Sequence, residues 1–233
     1  MTLRDALFAA AMALALTVPM RAQACALELV LAFDVSGSID QQEFALQMGG
    51  LASAFEDETL IDAISSLDGG MLVALTHWSG ISRQRVMIDW KKLQEPAEIA
   101  AYAAQVRRSG RAWRNFSTAI GEAIAHARQV SASAPEVCDR RVIDVSGDGV
   151  SNEGRAPAPV SQALALEGYT INGLVIRGAD PDPMPQYIDE VIAGDGAFVE
   201  VADGFKDYPR AILRKLLREI DAPMIVANPT PPR

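Results

Sequence analysis

The chain has 233 residues, 49% of them hydrophobic, which is ample for one sizeable core and cramped for two. Its formal charge is −9, from 30 acidic and 21 basic residues, and no run of Lys or Arg is longer than a pair. A phosphate-backbone binder needs a concentrated basic face, so nucleic acid is excluded as a partner.

Residues 1–24 read as a signal peptide. "MTLR" carries a positive charge, "ALFAAAMALALTV" is apolar throughout, and "AQA" at Ala22 to Ala24 has the small-x-small form of a cleavage site. The apolar run is too short to span a bilayer, and no later stretch is long enough either, so the mature chain is expected to have no integral membrane span. Removal of residues 1–24 leaves 29 acidic and 19 basic residues and a formal charge of −10. The expected location is periplasmic or secreted.

The mature chain then begins at Cys25, and the only other cysteine is Cys138. A lipid anchor on Cys25 is one reading, although Ala22 stands where such signals usually carry a leucine-like residue. A disulfide is the favoured one. Each cysteine precedes a predicted strand that ends in a candidate site aspartate, Asp34 or Asp148. If those strands are parallel neighbours, both thiols lie near one sheet edge and can pair in an oxidising compartment. Two cysteines and two histidines without metal-ligand spacing are poor material for structural zinc.

"ELVLAFD", residues 28–34, is a near-continuous apolar run of the kind required by a strand covered on both faces. From residue 39 to 56 the period becomes helical, with Phe44, Met48, Leu51 and Phe55 on one side. "MLVALTHW" (71–78) is a second buried strand, and "RQRVMIDW" (83–90) has the alternation of an edge strand. "PAEIAAYAAQVRR" and "STAIGEAIAHARQV" are helical. "RVIDVSG" (141–147) is a strand, 160–167 a short helix, "TINGLVI" (170–176) a strand, 186–192 a helix and "AFVEV" a short strand. The last helix aligns Phe205, Tyr208, Ile212, Leu216 and Ile220. Residues 222–233 form a proline-rich tail. Strands alternating with crossover helices predict an α/β fold over residues 25–221: a doubly wound, mostly parallel central sheet with helices on both faces and one antiparallel edge strand.

Ligands of such sheets sit outside the carboxyl ends of the strands, where strand order reverses. Asp34, Ser36 and Ser38 leave one such end, Asp148 leaves another in "SGDG", and Thr118 starts a third element. Two carboxylates and three hydroxyls are all oxygen donors, the set a hard divalent ion accepts: Mg2+ first, with Mn2+ or Ca2+ as alternatives. Blander roles exist for each residue. Ser38 with Gln41 fits a capping box, Asp34 and Asp148 fit turns, and Thr118 fits a helix start.

"DVSGS" at Asp34 to Ser38 resembles the Asp-x-Ser-x-Ser motif of the metal-ion-dependent adhesion site in von Willebrand factor A-type domains. "TAIGEAI" from Thr118 resembles that family's threonine segment, and "SGDG" its strand-ending Asp-Gly. The likeness runs from about Leu27 to Ile220 and is greatest to exported bacterial members. Ser146 and Gly147 depart from the hydrophobic residue and threonine that many members place before the aspartate. The resemblance implies a metal held by Asp34, Ser36, Ser38, Thr118 and Asp148, whose open position takes an exposed Asp or Glu of a partner protein. Trp113, Arg114 and Asn115 are candidates for the binding rim, with local packing as their alternative; His77 ends the second strand near that rim, and a buried or hydrogen-bonded structural histidine is the favoured reading of it. A binding module rather than an enzyme is expected. A metal-dependent hydrolase is the alternative, although Ser36 has no assigned general base. A structural cell-envelope protein is a third possibility.

Overall fold

A computed structural model describes residues 25–221. The signal-peptide and proline-tail readings, residues 1–24 and 222–233, lie outside the described residues. Six strands form one sheet: β1 (Leu27–Asp34), β2 (Met71–Trp78), β3 (Gln84–Leu93), β4 (Arg140–Gly147), β5 (Tyr169–Ile176) and β6 (Val199–Ala202). Their spatial order is β3-β2-β1-β4-β5-β6. Every neighbouring pair is parallel except β2 with the edge strand β3. β1, β2 and the last six residues of β4 are fully buried, as their unbroken apolar runs require of strands covered on both faces.

Side-chain alternation along β1 divides the core in two. Leu29, Leu31 and Phe33 face α1 (Gln41–Ala54), α2 (Glu58–Ser65), α3 (Pro96–Arg108) and α7 (Tyr208–Asp221). Val30 and Ala32 face α4 (Ile120–Ser131), α5 (Pro157–Leu166) and the segment that begins as α6 (Met184–Gln186) and continues as a π turn over Tyr187–Val191. No helix among the described residues is long and apolar enough to cross a membrane.

Several local readings change. α2 is absent from the sequence reading; Asp57 starts it by accepting the Thr59 N–H at 2.9 Å. α5 begins at Pro157, three residues before the helix expected over 160–167. The Ser38–Gln41 capping box does not form. Asp40 caps α1 instead, accepting the Glu43 N–H at 2.8 Å while Glu43 accepts the Asp40 N–H at 2.7 Å. That leaves Ser38 outside the helix with its hydroxyl available.

Because β1 and β4 are parallel neighbours, the residues preceding them meet at the lower edge, and Cys25 and Cys138 form a disulfide with Cα atoms 4.5 Å apart. The bond uses the sulfur that lipidation would need. On the α7 side, Lys215 is fully buried between Asp144 (Nζ to Oδ1, 3.0 Å) and Glu219 (2.5 Å). Asn172 donates to both Glu219 oxygens at 3.0 Å. Burial works against the Lys215 charge, but Asp144 and Glu219 outweigh it and raise its pKa.

Two stability predictions result. The disulfide closes a loop of 113 residues, so the Cys25→Ser/Cys138→Ser protein should lose about 2 to 5 kcal/mol in urea unfolding. An unchanged midpoint would refute it. Lys215→Met leaves two buried carboxylates facing each other and should cost about 3 to 5 kcal/mol in the same assay. A loss below 1 kcal/mol, on the order of a surface pair, would show that the cluster contributes little.

Candidate metal centre

The order of the sheet reverses between β1 and β4, so the crevice at their carboxyl ends is the expected ligand position. Asp34, the last residue of β1, is completely buried. Its Oδ1 accepts the Ser36 N–H at 2.7 Å, which folds the chain back over the strand end. Its Oδ2 is buried with no hydrogen-bond partner. The Ser36 and Ser38 hydroxyls lie 3.3 Å apart, and Ser38 Oγ donates to Asp148 Oδ1 at 2.8 Å. Asp148 directly follows β4. Thr118 lies two residues before α4, its Oγ1 3.9 Å from where a Cβ on Gly149 would stand. Asp34, Ser36, Ser38 and Asp148 therefore form one connected group, and Thr118 adjoins the Asp148–Gly149 turn. Only Ser38 is exposed, so the group opens to solvent through that hydroxyl.

Glycine permits this close approach. A Cβ on Gly147 would lie 2.7 Å from the Tyr187 hydroxyl and 3.1 Å from Asp34 Oδ2, and one on Gly37 would lie 3.2 Å from Asn115 Cα. A side chain at position 147 would have to displace the Tyr187 hydroxyl, which favours glycine immediately before Asp148.

Electrostatically the group is unfavourable by itself. Burial, reinforced by the Asp148 charge, pushes the Asp34 carboxyl up to about 8; hydrogen bonds from Ser36 and the Arg111 charge oppose this. Burial also raises Asp148, against the Ser38 hydrogen bond. An unpartnered buried carboxylate oxygen beside a second carboxylate is a strong demand for positive charge. Among the described residues no cluster of three or more His, Cys, Asp or Glu side chains could hold a metal. An ion at this edge would thus depend on hydroxyl as well as carboxylate oxygens, which suits a hard divalent cation.

Supporting residues escaped the sequence reading. Arg111 Nη2 donates to the Val35 and Ser36 carbonyls at 2.9 and 2.7 Å, pinning the first loop from the α3–α4 connection. Asn152 brackets Thr118: its Oδ1 accepts the Thr118 N–H at 3.0 Å, and its own N–H donates to the Thr118 carbonyl at 2.9 Å. Ser151 Oγ accepts the Ile120 N–H at 3.2 Å, supplying the cap that Ala119 lacks. "SNEG" follows Asp148 closely enough for its polar residues to have been suspected; Arg111 had no local signal.

The rim candidates separate. Trp113 is half-buried under Arg85, 5.1 Å from guanidinium to ring, while Arg114 and Asn115 are exposed. Asn115 adopts φ 62°, turning the loop so that Phe116 O accepts the Gly37 N–H at 2.8 Å. His77 is not a rim residue. It is fully buried, packs edge-on against Phe44 at 5.6 Å, and neither ring nitrogen has a hydrogen-bond partner. Its side chain shares the face of Phe33 and points into the core rather than toward the strand ends. Burial, aided by Arg111, lowers its pKa to about 3. Ser36 Oγ meets Ser38, not His77. Beside Ser38 and Asp148 a cleft of about 580 Å³ opens, with Leu46, Phe205, Arg177 and Lys206 in its wall.

Solved structures share this fold. Proximal thread matrix protein 1 (PTMP1) from the mussel byssus, with a zinc-occupied MIDAS motif, is 16% identical with TM-score 0.60, covering 84% of this chain and 46% of its own. The von Willebrand factor type A protein from Catenulispora acidiphila is 19% identical with TM-score 0.59, covering 84% and 43%. BatB from Bacteroides thetaiotaomicron is 16% identical with TM-score 0.54, covering 84% and 100%. The chain thus spans less than half the length of the first two. No curated protein matches it in sequence. The fold is that of von Willebrand factor A-type domains, and the chain belongs to the family described as Protein of unknown function (DUF1194), whose profile matches residues 24–224.

Proposed function

We propose that this protein is a divalent-metal-dependent protein-binding module of the bacterial periplasm. Asp34, Ser36, Ser38, Thr118 and Asp148 would hold the ion, directly or through water, and a partner carboxylate would complete its shell. The observation that carries this reading is the buried, unpartnered Asp34 Oδ2 beside Asp148, whose other contact is the exposed Ser38 hydroxyl. When bound, a divalent ion would offset the two carboxylates and offer an anion-accepting position, because three of the five candidate donors are neutral.

The chain's own residues do the rest. Arg111 and Asn152 hold the two ligand-bearing loops by their backbones, so the donors are largely in place beforehand and little ordering remains to be done on binding. Asp40 ends the first loop by starting α1, which frees Ser38 for Asp148. Mg2+ fits the oxygen donors best, with Mn2+ or Ca2+ as substitutes; the zinc in the mussel protein's motif adds a fourth ion to test. The signal-peptide reading and the disulfide support an oxidising location outside the cytoplasm.

Calorimetry should detect one Mg2+ or Mn2+ per chain. Asp34→Ala and Asp148→Ala should each weaken binding at least tenfold while the far-ultraviolet circular dichroism stays native, and Trp113→Ala should leave metal affinity unchanged. Wild-type affinity in both well-folded aspartate variants would reject the site.

The metal-free protein should also show a distinctive pH dependence. Above pH 6.5, Asp34 (about 8) and Asp144 (about 7) keep protons in the folded state that the unfolded chain, titrating near 3.8, has lost. Stability in chelator should therefore fall as pH rises from 6.5 to 8. Below 6.5, His77 works oppositely: held at about 3, it takes up its proton only on unfolding, so its contribution rises with pH. Asp34→Asn should flatten the fall between pH 6.5 and 8 in thermal melts. Identical slopes in wild type and variant would contradict the assignment.

A further inference from the structure

On the β3 side of the candidate centre, arginine and aromatic side chains gather around the loop from Arg111 to Phe116. Arg83 lies over the Phe116 ring at 4.6 Å and Arg85 over Trp113 at 5.1 Å. Arg114 is exposed between the two rings in sequence and close enough to Arg111 to lower its pKa, after the larger effect of burial. Phe116 is 41% exposed. Ile81, 49% exposed, tips the turn Ser79–Arg83, whose Ser79 hydroxyl donates to Ser117 O at 2.9 Å. The patch therefore adjoins the candidate ligand loop, which Arg111 reaches with its guanidinium group and Phe116 with its backbone carbonyl.

Its arginines are set apart by being gathered in one place without carboxylate partners. Arg107, Arg128, Arg155, Arg177, Arg210 and Arg214 each have a carboxylate within 4.0 Å. Among the described residues none of the ion pairs includes Arg83, Arg85, Arg111 or Arg114, nor Arg108, Arg140, Arg141 or Arg218; Arg140 and Arg141 donate to the Glu219 and Glu167 carbonyls and Arg218 lies over Phe198, whereas the first four come together on one loop and the strand beside it. The carboxylate nearest the turn, Glu153, accepts the Ile81 N–H at 3.1 Å instead. Several arginines free of carboxylate, two of them over aromatic rings, with apolar side chains alongside, have the composition of protein-binding hot spots.

We infer that Arg83, Arg85, Arg114, Trp113 and Phe116 form a docking surface for an acidic segment of a partner protein, one whose carboxylates alternate with apolar or aromatic side chains. The guanidinium groups match carboxylates bidentately, and Phe116, Trp113 and Ile81 match the apolar residues between them. A long polyanion fits less well. It would extend beyond the patch and meet the repulsion of a chain carrying −9 overall, whereas a short segment anchored by its apolar side chains keeps its central carboxylates within about one Debye length, ~10 Å, of the local positive charge. The inference rests on the proposed function only in taking the segment's terminal carboxylate to be the one directed at the metal; the patch itself needs no metal.

The test is fluorescence anisotropy with the mature disulfide-bonded chain and a labelled 12-residue peptide of four Glu-Glu-Phe repeats. Each measurement is made in Mg2+ and in chelator, with a Gln-Gln-Phe peptide and a sulfated oligosaccharide as competitors. The Glu peptide should bind, weaken with added salt, and lose about tenfold in affinity in the exposed-site double variant Arg85→Glu/Arg114→Glu. Lys91→Glu, farther along β3, should bind as wild type. Equal binding of the double variant, equal binding of the Gln peptide, or tighter binding of the sulfated oligosaccharide would each overturn the proposal. Loss in the double variant with no difference between Mg2+ and chelator would uphold the docking surface while the metal reading fails.

Discussion

Two carboxylates are buried at the ends of adjacent parallel strands, and much of the upper edge is arranged around that pair. Neither strand has a structural need for a terminal aspartate: the apolar runs of β1 and β4 suffice to bury both faces. Placing Asp34 at zero exposure with a free oxygen, beside Asp148, costs desolvation and like-charge repulsion that a Val or Asn would avoid. The fold tolerates this because the strand ends are held from several directions, and a site of unmet charge demand at the switch point of an α/β sheet is where function is to be sought.

Those supports come from separate parts of the chain. Arg111 reaches back 75 and 76 residues to the first loop, Asn152 clasps Thr118 across 34 residues, and Phe116 O receives Gly37 N–H. At the opposite edge the disulfide ties the starts of β1 and β4, so the two site-bearing strands are fixed at both ends. On the α7 side, Lys215 contacts Asp144 of β4, the strand that leads to Asp148. β4 thus carries one aspartate that the protein compensates internally and is followed by one that it leaves open toward solvent.

What was legible in the sequence follows this division. Buried strands announce themselves as apolar runs, and a strand-ending Asp followed by alternate serines is visible without tertiary information, so the sheet, its antiparallel edge and the grouping of Asp34, Ser36, Ser38 and Asp148 could be read in advance. Residues whose role depends on distant partners could not. Lys215 and Glu219 sit where an amphipathic pattern expects solvent. Arg111 is an unremarkable loop arginine until the first loop packs on it. The competing capping boxes Ser38–Gln41 and Asp40–Glu43 differ by two residues, and the choice between them involves Asp148, 110 residues away from Ser38. His77 lies near a strand end, which left a place on the rim open beside a buried structural role; strand position fixes height in the sheet, whereas the pleat turns its ring under Phe44. α2 is an eight-residue helix between longer elements, too short for periodicity to separate it from a loop.

If the buried carboxylate pair holds a divalent cation, anomalous diffraction from crystals grown with Mn2+ will locate the ion. A single strong peak is expected at the carboxyl ends of β1 and β4, with Asp34, Ser36, Ser38, Thr118 and Asp148 around it, directly or through water, and an outward-facing position taken by water or a neighbouring carboxylate. No peak there at saturating Mn2+, in crystals whose Asp34 and Asp148 are well ordered, would contradict this reading.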